Sequence, residues 1–216
     1  MKYSDKDAPS ILYSDNHLLV VYKPAGICTQ PGEGNSIEEW AKIKLKEETK
    51  KTGNIFLVPV HRLDKHVSGL VLFARSSKAL SRLNEMMRER KIRKKYLARI
   101  EGRLPHDEGT LEHFLVHEEY RSRVAKEGEP DAKRALLTYR QVADALVEVE
   151  LQTGRYHQIR AQLSAIGCPI VGDAKYGSKN SYPSQAIALQ HIELAFTHPV
   201  TKQELLFALP RWKQAF

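Results

Sequence analysis

One carboxylate stands apart in this chain of 216 residues. Asp64 lies within His61-Arg62-Leu63-Asp64-Lys65-His66-Val67-Ser68-Gly69, between two apolar runs at residues 55–60 and 69–74. Short apolar runs bounded by polar residues read as buried strands. The charged residues therefore occupy a turn between core elements. Burying an isolated charge is strongly unfavourable, so this turn must open into a cleft or have its charges paired. Two other segments offer matching chemistry: Gly154-Arg155-Tyr156-His157-Gln158-Ile159-Arg160, and Tyr96 in a stretch dense in Lys and Arg. Ile159, Leu163 and Ile166 recur at helical spacing, which places Arg160 about 100° from Ile159 at the margin of the apolar stripe. From there it can turn inward to meet a carboxylate. Such a pair keeps an aspartate ionised and oriented, although taken alone it is more often structural than catalytic.

The familiar alternatives find little support. His61 and His66 carry no glutamate of the H-E-x-x-H type, so no metal site is expected, and His61, His157 and His191 read as polar core or cleft residues. A phosphate-binding G-x-x-x-x-G-K-S/T loop, a G-x-G-x-x-G turn after a strand and a G-x-S-x-G elbow are all missing from the sequence, and Gly32-Glu33-Gly34 lacks the rest of any fingerprint. Cys28 and Cys168 are the only cysteines and are far apart, which indicates neither a disulfide framework nor a zinc knuckle.

The elements that must position these residues can be read in order. Residues 11–13 and 18–22 form strands around a turn at Asp15-Asn16. Lys23-Pro24-Ala25-Gly26 ends the second, and a loop at residues 30–35 follows. Ser36 and Glu39 form a capping box for a helix with Ile37, Trp40, Ala41 and Leu45 on its apolar face, ending in a Lys-rich stretch before Gly53. Beyond the Asp64 turn, Ser76 or Ser77 caps a helix to about Lys91, burying Leu80, Leu83 and Met87. Residues 88–99 hold Arg88, Arg90, Lys91, Arg93, Lys94, Lys95 and Arg99 with a strand at residues 95–100. A run of one sign beside a strand suits a phosphate-contacting surface. Residues 111–116 are a weaker strand and residues 118–132 a loop. Residues 135–142 and 146–151 pair across Asp144-Ala145. A helix then ends at Gly167, and residues 185–196 and 204–209 are the last strands. Many strands with few helices, not in strict alternation, predict an α+β fold with a mostly antiparallel sheet.

Lys and Arg outnumber Asp and Glu by 34 to 26, a net charge of +8 that suits a polyanionic partner, nucleic acid first. Residues 1–10 lack the apolar core of a signal peptide, and no apolar run approaches the roughly 20 residues that span a bilayer. A reducing cytoplasmic setting, with no membrane partner, is expected.

Several segments now add up to a resemblance. His61-Arg62-Leu63-Asp64 with Ser68-Gly69 resembles the H-R-L-D-x-x-T/S-S-G signature of the RluA-type pseudouridine synthases. Lys23-Pro24-Ala25-Gly26 resembles that family's N/D-K-P-x-G motif. Lys94-Lys95-Tyr96-Leu97-Ala98 resembles K-x-Y-x-A. Thr153-Gly154-Arg155-Tyr156-His157-Gln158-Ile159-Arg160 resembles T-G-R-x-H-Q-I-R. Gly167, Pro169, Ile170, Gly172 and Asp173 match G-x-P-I-x-G-D. Lys133, Ala135, Thr138 and Tyr139 fall near a K-x-A-x-T-x-Y pattern with shifted spacing. The matches keep the family's order across most of the chain. Val67 departs from them, standing where the family usually has Thr.

The resemblance implies a pseudouridine synthase fold, with a mixed, mostly antiparallel central sheet, flanking helices and a catalytic cleft. It implies one catalytic domain over residues 1–216, without the S4 domain many relatives carry. The reaction would isomerise uridine to pseudouridine in structured ribosomal or transfer RNA, at a loop or bulge, by base flipping. It would need no cofactor, metal or nucleotide, and the chain would act as a monomer. Asp64 would be the catalytic carboxylate, Tyr96 would stack on the flipped base, and Arg160 would pair with Asp64. Arg62, Arg88, Arg90, Lys91, Arg93, Lys94, Lys95, Arg155, His157 and Gln158 would meet RNA, with the helix at residues 42–51 as a further backbone contact. A non-catalytic RNA-binding protein and an N-glycosidase releasing uracil are the alternatives.

Overall fold

A computed structural model describes residues 8–32, 34–50, 53–183, 185–210 and 214. The end of the Lys-rich stretch at Lys51, the Glu33 of the Gly32-Glu33-Gly34 segment, and residues 1–7 of the amino-terminal segment lie outside the described residues. The chain divides into two compact units. One holds the described residues up to Ile92 and those from Glu193 to Gln214, and the other runs from Arg93 to Ile192.

In the first unit, β1 (Ser10–Ser14), β2 (Leu18–Lys23) and β4 (Ser68–Ala74) lie side by side and antiparallel, with the short β3 (Val58–Pro59) also on β4. The turn expected at Asp15-Asn16 is there. Asp15 Oδ1 accepts from the backbone N–H groups of His17 and Leu18, both at 2.7 Å, and so sets the β1–β2 reversal. Every residue of β2 and β4 is buried, which is why both read as unbroken apolar runs. The strand expected over residues 55–60 shrinks to β3, because Pro59 has no N–H to extend a ladder.

Helix α1 (Ile37–Thr49) begins at Ser36, whose Oγ accepts from the Glu39 N–H at 3.2 Å. The reciprocal half of the expected capping box differs, since Ser36 Oγ itself donates to the Glu39 carboxylate at 2.7 Å. Ile37, Ala41 and Leu45 are buried as the pattern requires, and Trp40 is half-buried. Helix α2 (Ser77–Arg88) is capped by Ser76 and packs on β4 through Ala79 and Leu83. It stops before Lys91 because Arg90 turns into the left-handed region, φ +59°. The first unit closes with β11 (Glu204–Ala208), antiparallel to the Glu193–Thr197 part of β10 (Leu189–Thr197).

In the second unit antiparallel strands run in the order β5 (Arg93–Arg99), β9 (Leu146–Leu151), β8 (Lys133–Ala143), β6 (Glu108–Glu118), β7 (Arg121–Ala125), and the start of β10 lies beside β5. β8 and β9 reverse at Asp144-Ala145 as expected, with Ala145 at φ +52°. The segment expected to be a loop at residues 118–132 instead contains β7. Its strand character is masked in sequence by Arg121 and Arg123, whose charges are paired to Glu118, Arg123 also meeting Glu129. Helix α3 (Gln158–Ala165) packs on β6 and β7 and ends in a Schellman turn. There the Cys168 N–H reaches Leu163 O and the Gly167 N–H reaches Ser164 O, both at 3.0 Å, with Gly167 at φ +75°. Among the described residues these strand pairings are antiparallel, an isolated parallel bridge joins Cys28 to Ser36, and three α-helices accompany the strands, the α+β class read from the sequence.

Candidate active site

In the first unit the Asp64 turn is held from three sides. β2 and β4 pair Lys23 with Gly69, so the Lys23-Pro24-Ala25-Gly26 turn sits beside the segment that carries Asp64. Gly26, at φ +90° where a side chain would be strained, donates its N–H to Lys65 O at 2.7 Å. Lys23 is wholly buried, and its ammonium donates to Pro24 O at 3.0 Å and Ile27 O at 2.9 Å. Burial pulls that ammonium down to about 7, while the Asp64 carboxylate and then Cys28 act in the opposite direction and favour its charge. Thr29 is a brace that motif reading did not select. Its hydroxyl donates to Leu63 O at 2.9 Å and accepts from the Leu63 N–H at 3.0 Å, fixing the residue just before Asp64.

Val67 closes the turn through its backbone, its N–H reaching Asp64 O at 3.0 Å while its side chain is buried. Val67 thus places an apolar side chain where the motif expected a Thr hydroxyl, and the turn keeps its backbone bond. His61 Nε2 accepts from the Leu72 N–H at 3.2 Å, which ties the near end of the turn to β4. Asp64 itself is half-exposed, and Arg62, Lys65 and His66 are exposed around it.

In the second unit, Tyr96 projects from β5 and is buried, with the ring of His191 stacked on it at 4.5 Å and 19°. Arg160 is buried on α3 and forms a bidentate pair with the buried Asp173: Nε to Oδ2 is 2.6 Å and Nη2 to Oδ1 is 2.8 Å. Its guanidinium also lies 4.9 Å from the centre of the Tyr176 ring. Sequence reasoning named Asp64 as the partner of Arg160. The structure adds Asp173, whose place in the Gly172-Asp173 motif was the available signal. The loop carrying Asp173 is clamped by Glu101, which accepts from the backbone N–H groups of Lys179 and Asn180, both at 3.0 Å, and from the Ser178 hydroxyl. The Lys179 bond first, together with the other two, holds this carboxyl down to about 2.

The basic and polar residues expected to meet RNA do not form a uniform set. Arg62, Arg88, Arg90, Lys91, Arg93 and Arg155 are exposed. Lys91 pairs with Glu89 at 2.7 Å and Lys95 with Glu148 at 3.2 Å. On α1, Lys42 and Lys44 pair with Glu38 and Glu47. Lys94 is buried instead. Gln158 is a correction. It is 3% exposed, and its amide donates to Leu136 O and Gln162 Oε1 and accepts from Thr153 Oγ1 and the Arg155 N–H. Those four bonds use its whole capacity, so it builds the turn rather than contacting RNA. His157 is also largely buried, at φ +50°, with Nδ1 2.9 Å from the Tyr176 hydroxyl. That hydroxyl also accepts from the Ser122 N–H at 2.7 Å.

Among the described residues no cluster of His, Cys, Asp and Glu is arranged to hold a metal ion. Both cysteines are free, and among the described residues no helix is long and apolar enough to cross a membrane.

A family model described as RNA pseudouridylate synthase matches residues 17–165, a stretch that includes the Asp64 turn, Tyr96 and Arg160. The chain belongs to this family, in its RluA-type branch, whose members isomerise uridine to pseudouridine in RNA. It is 33% identical over 214 residues to ribosomal large subunit pseudouridine synthase D of Nitrosomonas europaea, covering 93% of this chain and 61% of that protein. It is 34% identical over 209 residues to the dual-specificity RNA pseudouridine synthase RluA of Pasteurella multocida, covering 93% of this chain and 92% of that one. Among solved structures it is similar to human RNA pseudouridylate synthase domain containing 4, with a TM-score of 0.76, 25% identity, and coverage of 94% of this chain and 89% of that chain.

Proposed function

We propose that this chain isomerises uridine to pseudouridine in structured RNA, ribosomal or transfer, with its two units serving as one catalytic domain over residues 1–216. The observation that carries the reading is the Asp64 turn. A half-exposed carboxylate, on a backbone fixed by the Val67 N–H to Asp64 O and by the Thr29 hydroxyl to Leu63, lies within the field of a buried lysine. Preorganised charge of this kind costs no rearrangement at the moment of reaction. The names of the relatives, one a ribosomal large subunit enzyme and one a dual-specificity enzyme, support RNA as the substrate and keep both RNA classes in play.

The reaction breaks the C1′–N1 bond, turns the uracil and joins C5 to C1′. The proton leaves C5 and one is gained at N1, so the atoms balance without an oxidant or cofactor. Asp64 supplies negative charge to the sugar as the glycosidic bond breaks. Tyr96, its ring already fixed by His191, stacks on the flipped base. Arg160 is held in orientation by its bidentate pair with Asp173. Flipping costs a few kcal/mol and is cheapest where the base is already unstacked, so a loop or bulge is the target. Exposed Arg62, Arg88, Arg90, Lys91, Arg93 and Arg155 meet the RNA backbone. The protein works as a monomer in the cytoplasm.

The test is Asp64→Asn assayed by tritium release from C5-labelled ribosomal and transfer RNA transcripts. The variant should fold and bind RNA as the wild type does but release no tritium. Continued release by the purified variant would overturn the role given to Asp64.

A further inference from the structure

Lys94 differs from every other cation in its stretch. It is only 6% exposed. Among the described residues its ammonium makes no hydrogen bond and no ion pair, whereas the neighbouring Lys95 is paired to Glu148. Burial alone lowers it to about 8, and no carboxylate acts to restore its charge. A lysine retained for packing would be replaceable by Leu or Met, and a structural buried cation is ordinarily matched by an acid.

The ammonium points at a defined place. A Cβ built on Gly154 would lie 3.7 Å from Lys94 Nζ, with no other atom within 4 Å. Gly154 is exposed, so the buried ammonium lies directly beneath the Thr153-Gly154-Arg155 turn. Two independent features make this spot favourable to an anion. Helix α3 starts just beyond the turn with no side-chain cap and no acidic residue in its first turn, so the positive end of its dipole is uncompensated there. Arg155 stands exposed at the same turn, its Nε anchored to Arg134 O at 2.9 Å. Lys94 and Tyr96 also leave the same face of β5, two residues and so about 7 Å apart along the strand. A nucleotide with its base at Tyr96 has its phosphate within reach of Lys94.

We propose that Lys94, the Gly154 backbone and Arg155 form a phosphate subsite that takes one phosphodiester of the RNA next to the flipped uridine. The assignment rests on the reading of this chain as an RNA pseudouridine synthase. Gly154 is the residue that leaves room for the phosphate, and Lys94 is a binding and positioning residue rather than a catalytic one.

The experiment uses the full chain as wild type, Lys94→Met, Lys94→Arg and Gly154→Ala. RNA affinity is titrated against salt on large-subunit ribosomal and transfer RNA transcripts, and kcat and KM come from tritium release. Lys94→Met should melt no lower than the wild type at pH 7, since it removes an unmatched buried charge. Its affinity should fall roughly ten- to a hundredfold, the size of one charge-assisted contact. Its salt slope should be shallower by about 0.7, one phosphate on a single strand. KM should rise with kcat little changed. Lys94→Arg should keep the slope, and Gly154→Ala should fold but weaken binding. An affinity and slope in Lys94→Met equal to wild type would overturn the subsite, even if the wild type makes pseudouridine. A wild type that binds RNA with the Lys94-dependent slope yet releases no tritium would instead sink the functional reading and leave the subsite standing. In a separate arm, millimolar inorganic phosphate should give no Lys94-dependent shift in melting. If it does while the RNA slope stays unchanged, the ligand is free phosphate and the RNA assignment fails.

Discussion

Lys23 carries the most legible physical consequence of any single residue. Its ammonium titrates near 7 in the folded chain and near its ordinary value in the unfolded one, so the unfolded state binds more protons across that interval. Stability therefore rises with pH from about 7 upward as the folded ammonium gives up its costly charge, by an amount on the order of a few kcal/mol. Lys23→Met should lack this rise, and at pH 9, where the lysine is neutral, it should be the less stable protein because it has lost the donors to Pro24 O and Ile27 O. Urea unfolding of both proteins at pH 6.5 and 9 checks this, and parallel behaviour would contradict it. Asp64→Asn should push the Lys23 ammonium lower still, visible in the pH titration of its side-chain NMR signals. Thr29→Val leaves both polar groups of the Leu63 backbone without their partner and should cost about 2–6 kcal/mol, at one to three for each buried group. Val67→Thr should leave turnover within a few-fold of wild type, because the bond that closes the turn is made by the backbone N–H of residue 67.

At the scale of elements, the ion pair between Arg160 and Asp173 ties α3 to the loop that follows it. Asp173→Asn leaves a buried guanidinium without its charge partner and should cost about 3–5 kcal/mol, measured by urea unfolding. Two glycines of the same motif should separate backbone strain from crowding. Gly167→Ala meets nothing within 4 Å and pays only for its left-handed backbone, about 1 kcal/mol. Gly172→Ala adds a Cβ that would overlap that of Tyr182 at φ +86°, and should be much the more damaging of the two. The elements that sequence revealed are those with one-sided or unbroken apolar patterns: β2, β4, α1 and α3. β7 was hidden because its Arg121 and Arg123 look like loop residues until Glu118 and Glu129 are seen beside them. The strand expected at residues 55–60 was overread for the opposite reason, since an apolar run containing Pro59 can be buried without a ladder. Tyr96, Asp64 and Arg160 could be singled out from residue type and order. Thr29 could not, because it bonds Leu63, 34 residues away, and the commitment of Gln158 to the interior could not, because it turns on burial and on the bond to Leu136 O, 22 residues away.

At the scale of the whole molecule, the net charge of +8 and the exposed arginines favour RNA through counterion release. Affinity should fall steeply with salt. Alanine at exposed Arg62, Arg88 or Arg90 should weaken binding about equally across RNA sequences, a pattern that gel-shift titrations on unrelated transcripts would reveal. The central claim is narrower, that the chain rearranges uridine within RNA and neither merely binds it nor cuts it free. The most direct measurement is mass spectrometry of nucleosides from ribosomal and transfer RNA transcripts incubated with the wild-type protein and with Asp64→Asn. The account predicts pseudouridine, equal in mass to uridine but stable to glycosidic cleavage, from the wild type alone and with no free uracil. Uracil released from the RNA, or uridine left entirely unchanged by the wild type on every transcript, would contradict it.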